Sequence, residues 1–151
     1  MEPIEWTDSF SVGVALLDEQ HRQLIDMLNK MIKDPAATTR SETVADVLAD
    51  MTNYAEEHFK SEEELMLEHD YPHLDEHIQQ HRGFQEKAAR LCFATVEGQT
   101  SVPQELLEYL QRWLLRHILK DLLRLAWVAK NAHRCNNEIR FHEPLKNFLI
   151  C

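Results

Sequence analysis

An all-α protein, folded as an antiparallel up-down four-helix bundle with an extended N-terminal arm, is what this sequence predicts. Three observations predict it. Glycine and proline are scarce, three and five in 151 residues, so little interrupts a helix. No run alternates apolar and polar residues in the Val-, Ile- and Thr-rich manner of strands. Four segments instead carry apolar residues at helical spacing, and the short loops between them set neighbouring helices side by side and antiparallel.

Residues 1–16 contain Pro3 and Gly13 and no sustained helical period, so they read as an arm packed through Ile4, Trp6, Phe10 and Val12. The first helix runs from Leu17, with Leu17, His21, Leu24, Ile25, Leu28 and Met31 or Ile32 on one face, and ends before Pro35. After the loop DPAATT, Ser41 is a candidate N-cap for the second helix. Its stripe is Val44, Val47, Leu48, Met51, Tyr54, Ala55, His58, Phe59, Glu62, Leu65 and Met66, and it stops near His69. Pro72 suits the first turn of a third helix, whose stripe runs Leu74, His77, Ile78, His81, Phe84, Ala88, Leu91 and Thr95 before Gly98 closes it. Pro103 opens the fourth, lined by Leu106, Leu110, Trp113, Leu114, His117, Ile118, Asp121, Leu125 and Val128 and fading around Asn131. Residues 1–130 thus form one four-helix domain, and 131–151 a C-terminal tail or short docked helix.

Bulk properties narrow the function. A net charge of −10 argues against nucleic acid or an anionic membrane as partner, since either polyanion would be repelled. No apolar run nears the roughly 20 residues that span a bilayer, and MEPIEW lacks the blocks of a signal peptide, so a cytoplasmic location is expected. Cys92, Cys135 and Cys151 are odd in number and widely spaced, as ordinary reduced thiols are. Nine histidines in 151 residues are the compositional oddity, and they direct attention to metal or proton chemistry.

Seven polar residues, His21, His58, Glu62, His77, His81, His117 and Asp121, stand on the apolar stripes. Burying them without partners costs several kcal/mol, so something must satisfy them. His58/Glu62, His77/His81 and His117/Asp121 are pairs at i and i+4, only about 40° apart around a helix, so each pair can grip one centre. In an up-down bundle the starts of the first and third helices share an end with the finishes of the second and fourth, and all seven residues fall at that level. Nitrogen and oxygen donors without cysteine suit iron, manganese or zinc. Seven donors exceed the four of one tetrahedral zinc, and two ions bridged by two carboxylates fit the count better. A lone histidine such as His21 is more often a hydrogen-bonded core residue than a ligand; it is the convergence that argues for metal. His69, His73, His133 and His142 lack that agreement and read as surface or tail histidines.

The stretch HFKSEEELMLEHDYPHLDEHIQQHRGF, from His58 to Phe84, resembles the signature of the hemerythrin family in its bacterial form. IEW with SVGVALLDEQHRQLIDMLN before it and WLLRHILKD after it extend the resemblance over residues 4–128. The resemblance implies two non-haem iron ions, cycling between Fe2+ and Fe3+ and joined by an oxo or hydroxo bridge, with dioxygen as reversible ligand at an open position. Carried over residue by residue, it implies His21, His58, His77, His81 and His117 as terminal ligands and Glu62 as the first bridging carboxylate. It implies an oxygen-pocket lining of Phe59, Trp113, Leu114 and Ile118. The family places its second bridging aspartate five residues after the last histidine; position 122 here is leucine, and Asp121, at four, takes the bridge.

Reversible dioxygen binding for storage, delivery or sensing, without catalysis, is therefore the expected function, with dioxygen as the partner. A di-iron oxidase or oxygenase is the first rival, but such sites resemble the ExxH, carboxylate-rich pattern rather than a histidine-rich one with HxxxE. The second rival is an oxygen, redox or iron sensor that signals through an unidentified protein partner.

Overall fold

Four helices, α1 (Ala15–Lys33), α2 (Glu42–Glu68), α3 (Leu74–Val96) and α4 (Val102–Trp113), make up most of residues 2–118, the part of the chain that the computed structural model describes. α1 packs on α2 and α4, and α3 packs on the same two, so the helices close a ring around one interior. None of the helices among the described residues is long and apolar enough to cross a membrane.

The interior follows the stripes. Leu24, Leu28, Val44, Val47, Met51, Phe84, Leu106 and Leu110 are all fully buried in the main cluster. Side chains of this size each contribute about 1.5–3 kcal/mol on leaving water. A second, smaller cluster of Val12, Leu17, Met66 and Tyr71 closes the bundle end reached by the start of α1, the finish of α2 and the entry to α3. The polar side chains of interest lie between these two apolar masses.

The arm packs as expected. Ile4, Trp6 and Phe10 lie against the main core, and Val12 joins the end cluster. It is pinned by polar contacts too: the Asn29 amide accepts from the Ile4 N–H at 2.7 Å and donates to the Ile4 carbonyl at 2.8 Å. Asp18 accepts from the Val12 N–H and the Ser11 hydroxyl, and the Arg22 guanidinium sits 4.3 Å from the Trp6 ring centroid. A short 3-10 turn, Asp8–Phe10, interrupts the otherwise extended backbone, and α1 starts at Ala15 rather than Leu17.

The loops between α2 and α3 and between α3 and α4 begin with the same device. At the end of α3 the N–H of Gly98 donates to Thr95 and that of Gln99 to Ala94, with Gly98 at φ +73°. At the end of α2 the N–H of Asp70 donates to Leu67 and that of Tyr71 to Met66, with Asp70 at φ +50°. Both are Schellman closures, and the Tyr71–Met66 packing supplies the apolar contact that usually accompanies one.

Three local expectations are corrected. Ser41 stands at the N-cap of α2, but its hydroxyl donates back to the Thr38 carbonyl at 2.8 Å and caps nothing, because the loop offers a nearer acceptor. Pro72 lies in the turn before α3, whose N-cap is His73, because the backbone still has to reverse after Asp70. The fourth helix is not one regular α-helix: after Trp113 the backbone widens into a π turn, Leu114–Ile118, which carries His117. The rest of the expected fourth helix and the tail at 131–151 lie outside the described residues.

Candidate metal centre

Six of the seven stripe-borne polar residues meet at one level. α1 brings His21, α2 brings His58 and Glu62, α3 brings His77 and His81, and the π turn brings His117; none is more than 2 % exposed. Asp121 and the side chain of Ile118 lie outside the described residues.

The hub is one carboxylate oxygen. Glu62 Oε2 lies 3.0 Å from His77 Nε2, 3.1 Å from His117 Nε2, 3.2 Å from His81 Nε2 and 3.5 Å from His58 Nε2. His58 Nε2 and His117 Nε2 are 3.2 Å apart, and the His21 ring centroid is 4.9 Å from that of His58. Ligand-capable atoms fall into two sets within which all lie within 4.8 Å of one another: Glu62, His77, His81 and His117, and His21, His58 and His117.

The outer edges of two rings decide what their inner edges offer. His58 Nδ1 lies 3.1 Å from the Gln20 Oε1 carbonyl oxygen, and His81 Nδ1 lies 2.6 Å from Glu63 Oε1. Both partners are acceptors, so each Nδ1 carries the proton and each Nε2 presents a bare lone pair to the interior. Lone pairs of His58 and His81 therefore face the Glu62 carboxylate with no proton between them, and Glu62 Oε1 has no hydrogen-bond partner among the described residues. Electron pairs aimed at one another in a dry interior repel, and a cation is the species that converts the repulsion to attraction. The donor set fits metal on these grounds.

Protonation states agree. Burial pushes His58 well below its ordinary value, with Glu62 opposing, and burial likewise lowers His81, so both imidazoles are neutral. Burial would raise the Glu62 carboxyl, but the imidazoles of His117 first and then His77 outweigh it and hold it well below the usual carboxylate range. Neutral imidazoles around an ionised carboxylate are the forms that coordinate metal.

Aromatic rings hold the imidazoles in place. Phe59 stacks on His81 with centroids 3.8 Å apart and planes 7° apart, and Trp113 stacks on His117 at 4.6 Å and 19°. Tyr54 stacks on His58 at 4.7 Å, its phenol held well above the usual range by burial and then by Glu62. Leu114 is buried beside them. Sequence reasoning had not singled out Gln20, Glu63 or Tyr54 as site residues. Of the remaining histidines, His73 is exposed and His69 donates locally, from Nδ1 to the Leu65 carbonyl; His133 and His142 lie outside the described residues.

Comparison with known proteins points the same way. Residues 12–121 match the family model described as the hemerythrin HHE cation binding domain. A bacteriohemerythrin of Stenotrophomonas maltophilia is 35 % identical over 80 % of this chain and 78 % of its own length. One from Methylococcus capsulatus is 31 % identical over 80 % and 92 %, and a myohemerythrin of Theromyzon tessulatum 32 % identical over 78 % and 86 %. With helices, buried histidines and matched segment in agreement, this chain belongs to the hemerythrin family.

Proposed function

We propose that the cluster holds two non-haem iron ions and that the protein binds dioxygen there reversibly, without turning over a substrate. The observation that carries this reading is the pair of overlapping donor sets, which share His117 and converge on an ionised carboxylate with one oxygen unused. On this reading His77, His81 and His117 would hold one ion and His21 and His58 the other, with Glu62 as the carboxylate ligand they would share. Asp121, the last residue of the family match, supplies the second bridging carboxylate. It stands four residues after His117, the spacing that on an α-helix returns to the same face. When bound, the iron pair would supply the two electrons that make oxygen uptake reversible, with an oxo or hydroxo bridge between the ions.

The chain's own part is to keep five imidazoles pre-aimed and the site dry. Gln20 and Glu63 fix the tautomers of His58 and His81, and second partners of this kind orient ligands and raise their basicity. Phe59, Trp113, Leu114 and Ile118 form the apolar wall, while Val12, Leu17, Met66 and Tyr71 plug the bundle end. Excluding water and protons from the ligand position favours release of intact dioxygen over loss to the ferric state. Glu62 is the only carboxylate buried in the described cluster, which favours a binding site over the carboxylate-rich sites of di-iron oxidases.

The test is the iron content and visible spectrum of purified protein, read after anaerobic reduction, on air exposure and after oxygen removal. The reading predicts about two irons per chain and an air-dependent band that reverses. Iron-free protein, or oxygen consumption that continues with a substrate, would overturn it.

A further inference from the structure

The outer face shared by α2 and α3 carries two uncharged stripes that nothing among the described residues covers. Ala45, Ala49 and Thr52 form one and Ala89, Phe93 and Val96 the other, each at i, i+4 and i+7 and every member exposed. Phe93 is 65 % exposed and Val96 85 %. The Thr52 hydroxyl donates to the Leu48 carbonyl of its own helix at 3.0 Å, so its polar group asks for no outside partner. Thr52 and Ala89 line one cavity of about 270 Å³, which fixes the register of the antiparallel helices and sets Ala45 level with Val96. Toward the histidine level the same face continues as a groove of about 480 Å³, bordered by exposed Leu67 and half-buried Leu74 and Ile78. Leu67, Phe93 and Val96 are three of the five large apolar side chains exposed among the described residues, and scattered surface exposure does not gather them on one face.

This face is complementary to itself. Glu56 and Gln85 border both cavities and stand at its middle, with Leu67 and Leu74 as far to one side as Ala45 and Val96 are to the other. A second copy laid on it antiparallel, about a two-fold axis at that level, sets Leu67 over the partner's Ala45, Leu74 over the partner's Val96 and Ile78 beside the partner's Phe93. Charge agrees. Glu56 and Arg82 line opposite walls of the groove and make no ion pair among the described residues, whereas Lys60 pairs with Glu64. In the antiparallel pairing each Glu56 comes within reach of the partner's Arg82. A face about 33 Å long and two helices wide, about 20 Å, removes on the order of 1,300 Å² from water when two copies meet, within the range of stable interfaces. We propose that α2 and α3 form the interface of a two-fold symmetric, antiparallel dimer of this chain. The pairing uses no residue of the histidine cluster and does not depend on iron.

Sedimentation of the full-length chain, iron-loaded and iron-free, over about 1–300 µM reads the association, which an interface of this size places at about micromolar strength or tighter. Phe93→Asp with Val96→Asp weakens it at least about tenfold, as loss of a central apolar contact does, and leaves the iron content unchanged. Glu56→Arg or Arg82→Glu alone also weakens it, and the two together in one chain restore it, which damage to the fold would not do. Gln85→Cys, in a chain whose Cys92, Cys135 and Cys151 are serine, is joined to its own copy by a disulfide on treatment with diamide, because a residue on the two-fold axis faces itself. A monomer at every concentration overturns the proposal, as does a dimer indifferent to Phe93 and Val96 or one in which Gln85→Cys stays uncrosslinked. A monomer in which Phe93→Asp opens residues 131–151 to protease gives the face to the chain's own tail instead. Failure of the iron reading would appear as absent iron and leaves these measurements intact.

Discussion

Glu63 Oε1 stands 2.6 Å from His81 Nδ1, on the opposite edge of the ring from the Glu62 oxygen that His81 Nε2 faces at 3.2 Å. A carboxylate that takes the outer proton of a histidine fixes which nitrogen is bare and where it points. Loss of such a partner typically lowers metal affinity about 10- to 100-fold. Glu63→Ala is therefore expected to weaken ferrous iron binding by that order, and Glu63→Gln, which keeps an acceptor oxygen, by less. Competition against a chelator measures both. An E63A protein that holds iron as tightly as the parent removes Glu63 from the site.

That residue also marks where reading the sequence stops. His21, His58, Glu62, His77, His81 and His117 were legible because each interrupts an apolar stripe, and a buried polar group demands a partner whatever the fold. Glu63 and Gln20 sit beside the stripe, where a polar residue is unremarkable. Only the packing of α1 on α2 buries Gln20 and turns its carbonyl to His58. The four helices were legible from periodicity, but the π turn was not: Leu114–Ile118 keeps an α-like sequence pattern, and its wider hydrogen-bond register is a property of the backbone. Likewise the end of the second helix near His69 was legible, while the left-handed conformation of Asp70 follows from the Tyr71–Met66 contact that the closure makes.

Acid should destabilise the metal-free protein well before its carboxylates titrate. His58 and His81 have folded values lowered from the ordinary 6.5, so the unfolded chain takes up protons near that pH and the folded chain does not. Their contribution to stability is full above pH 6.5 and declines as pH falls below it, by at most about 1.4 kcal/mol per pH unit for each group. Glu62, lowered from 4.5, adds a further loss in the same direction below that pH. Urea unfolding of iron-free protein at pH 7.5, 6.5 and 5.5 checks the slope. A flat profile across that range contradicts neutral buried imidazoles.

Asp70→Gly should stabilise the fold. Asp70 holds φ +50° at the residue that closes α2, a conformation costing a side chain about 1 kcal/mol or more and glycine little. Its backbone N–H, which closes on Leu67, survives the change. A gain near 1 kcal/mol corresponds to a rise in Tm of about 2–4 °C for a chain of this size. Thermal unfolding of the iron-free protein reads it, and a fall in Tm would mean that the Asp70 carboxylate itself makes a stabilising interaction.

Glu62 separates the metal's contribution from that of the apolar bundle. Its Oε2 lies within 3.5 Å of four imidazoles while its Oε1 has no hydrogen-bond partner among the described residues. The imidazoles hold the Glu62 carboxyl well below its ordinary range, so its ionised form is stabilising, and removing one member of a buried polar cluster leaves the others unsatisfied. Glu62→Leu without iron is accordingly expected to melt below the parent. Iron changes the comparison. A ligand that binds only the folded state adds about 4 kcal/mol at a thousand times its Kd, and the parent's Tm should climb on anaerobic addition of ferrous iron by roughly 8–16 °C. Glu62→Leu loses the carboxylate on which His58, His77, His81 and His117 converge, and most of that rise with it. Equal gains from iron in the two proteins would place the metal somewhere other than this cluster, whatever the spectrum of the parent.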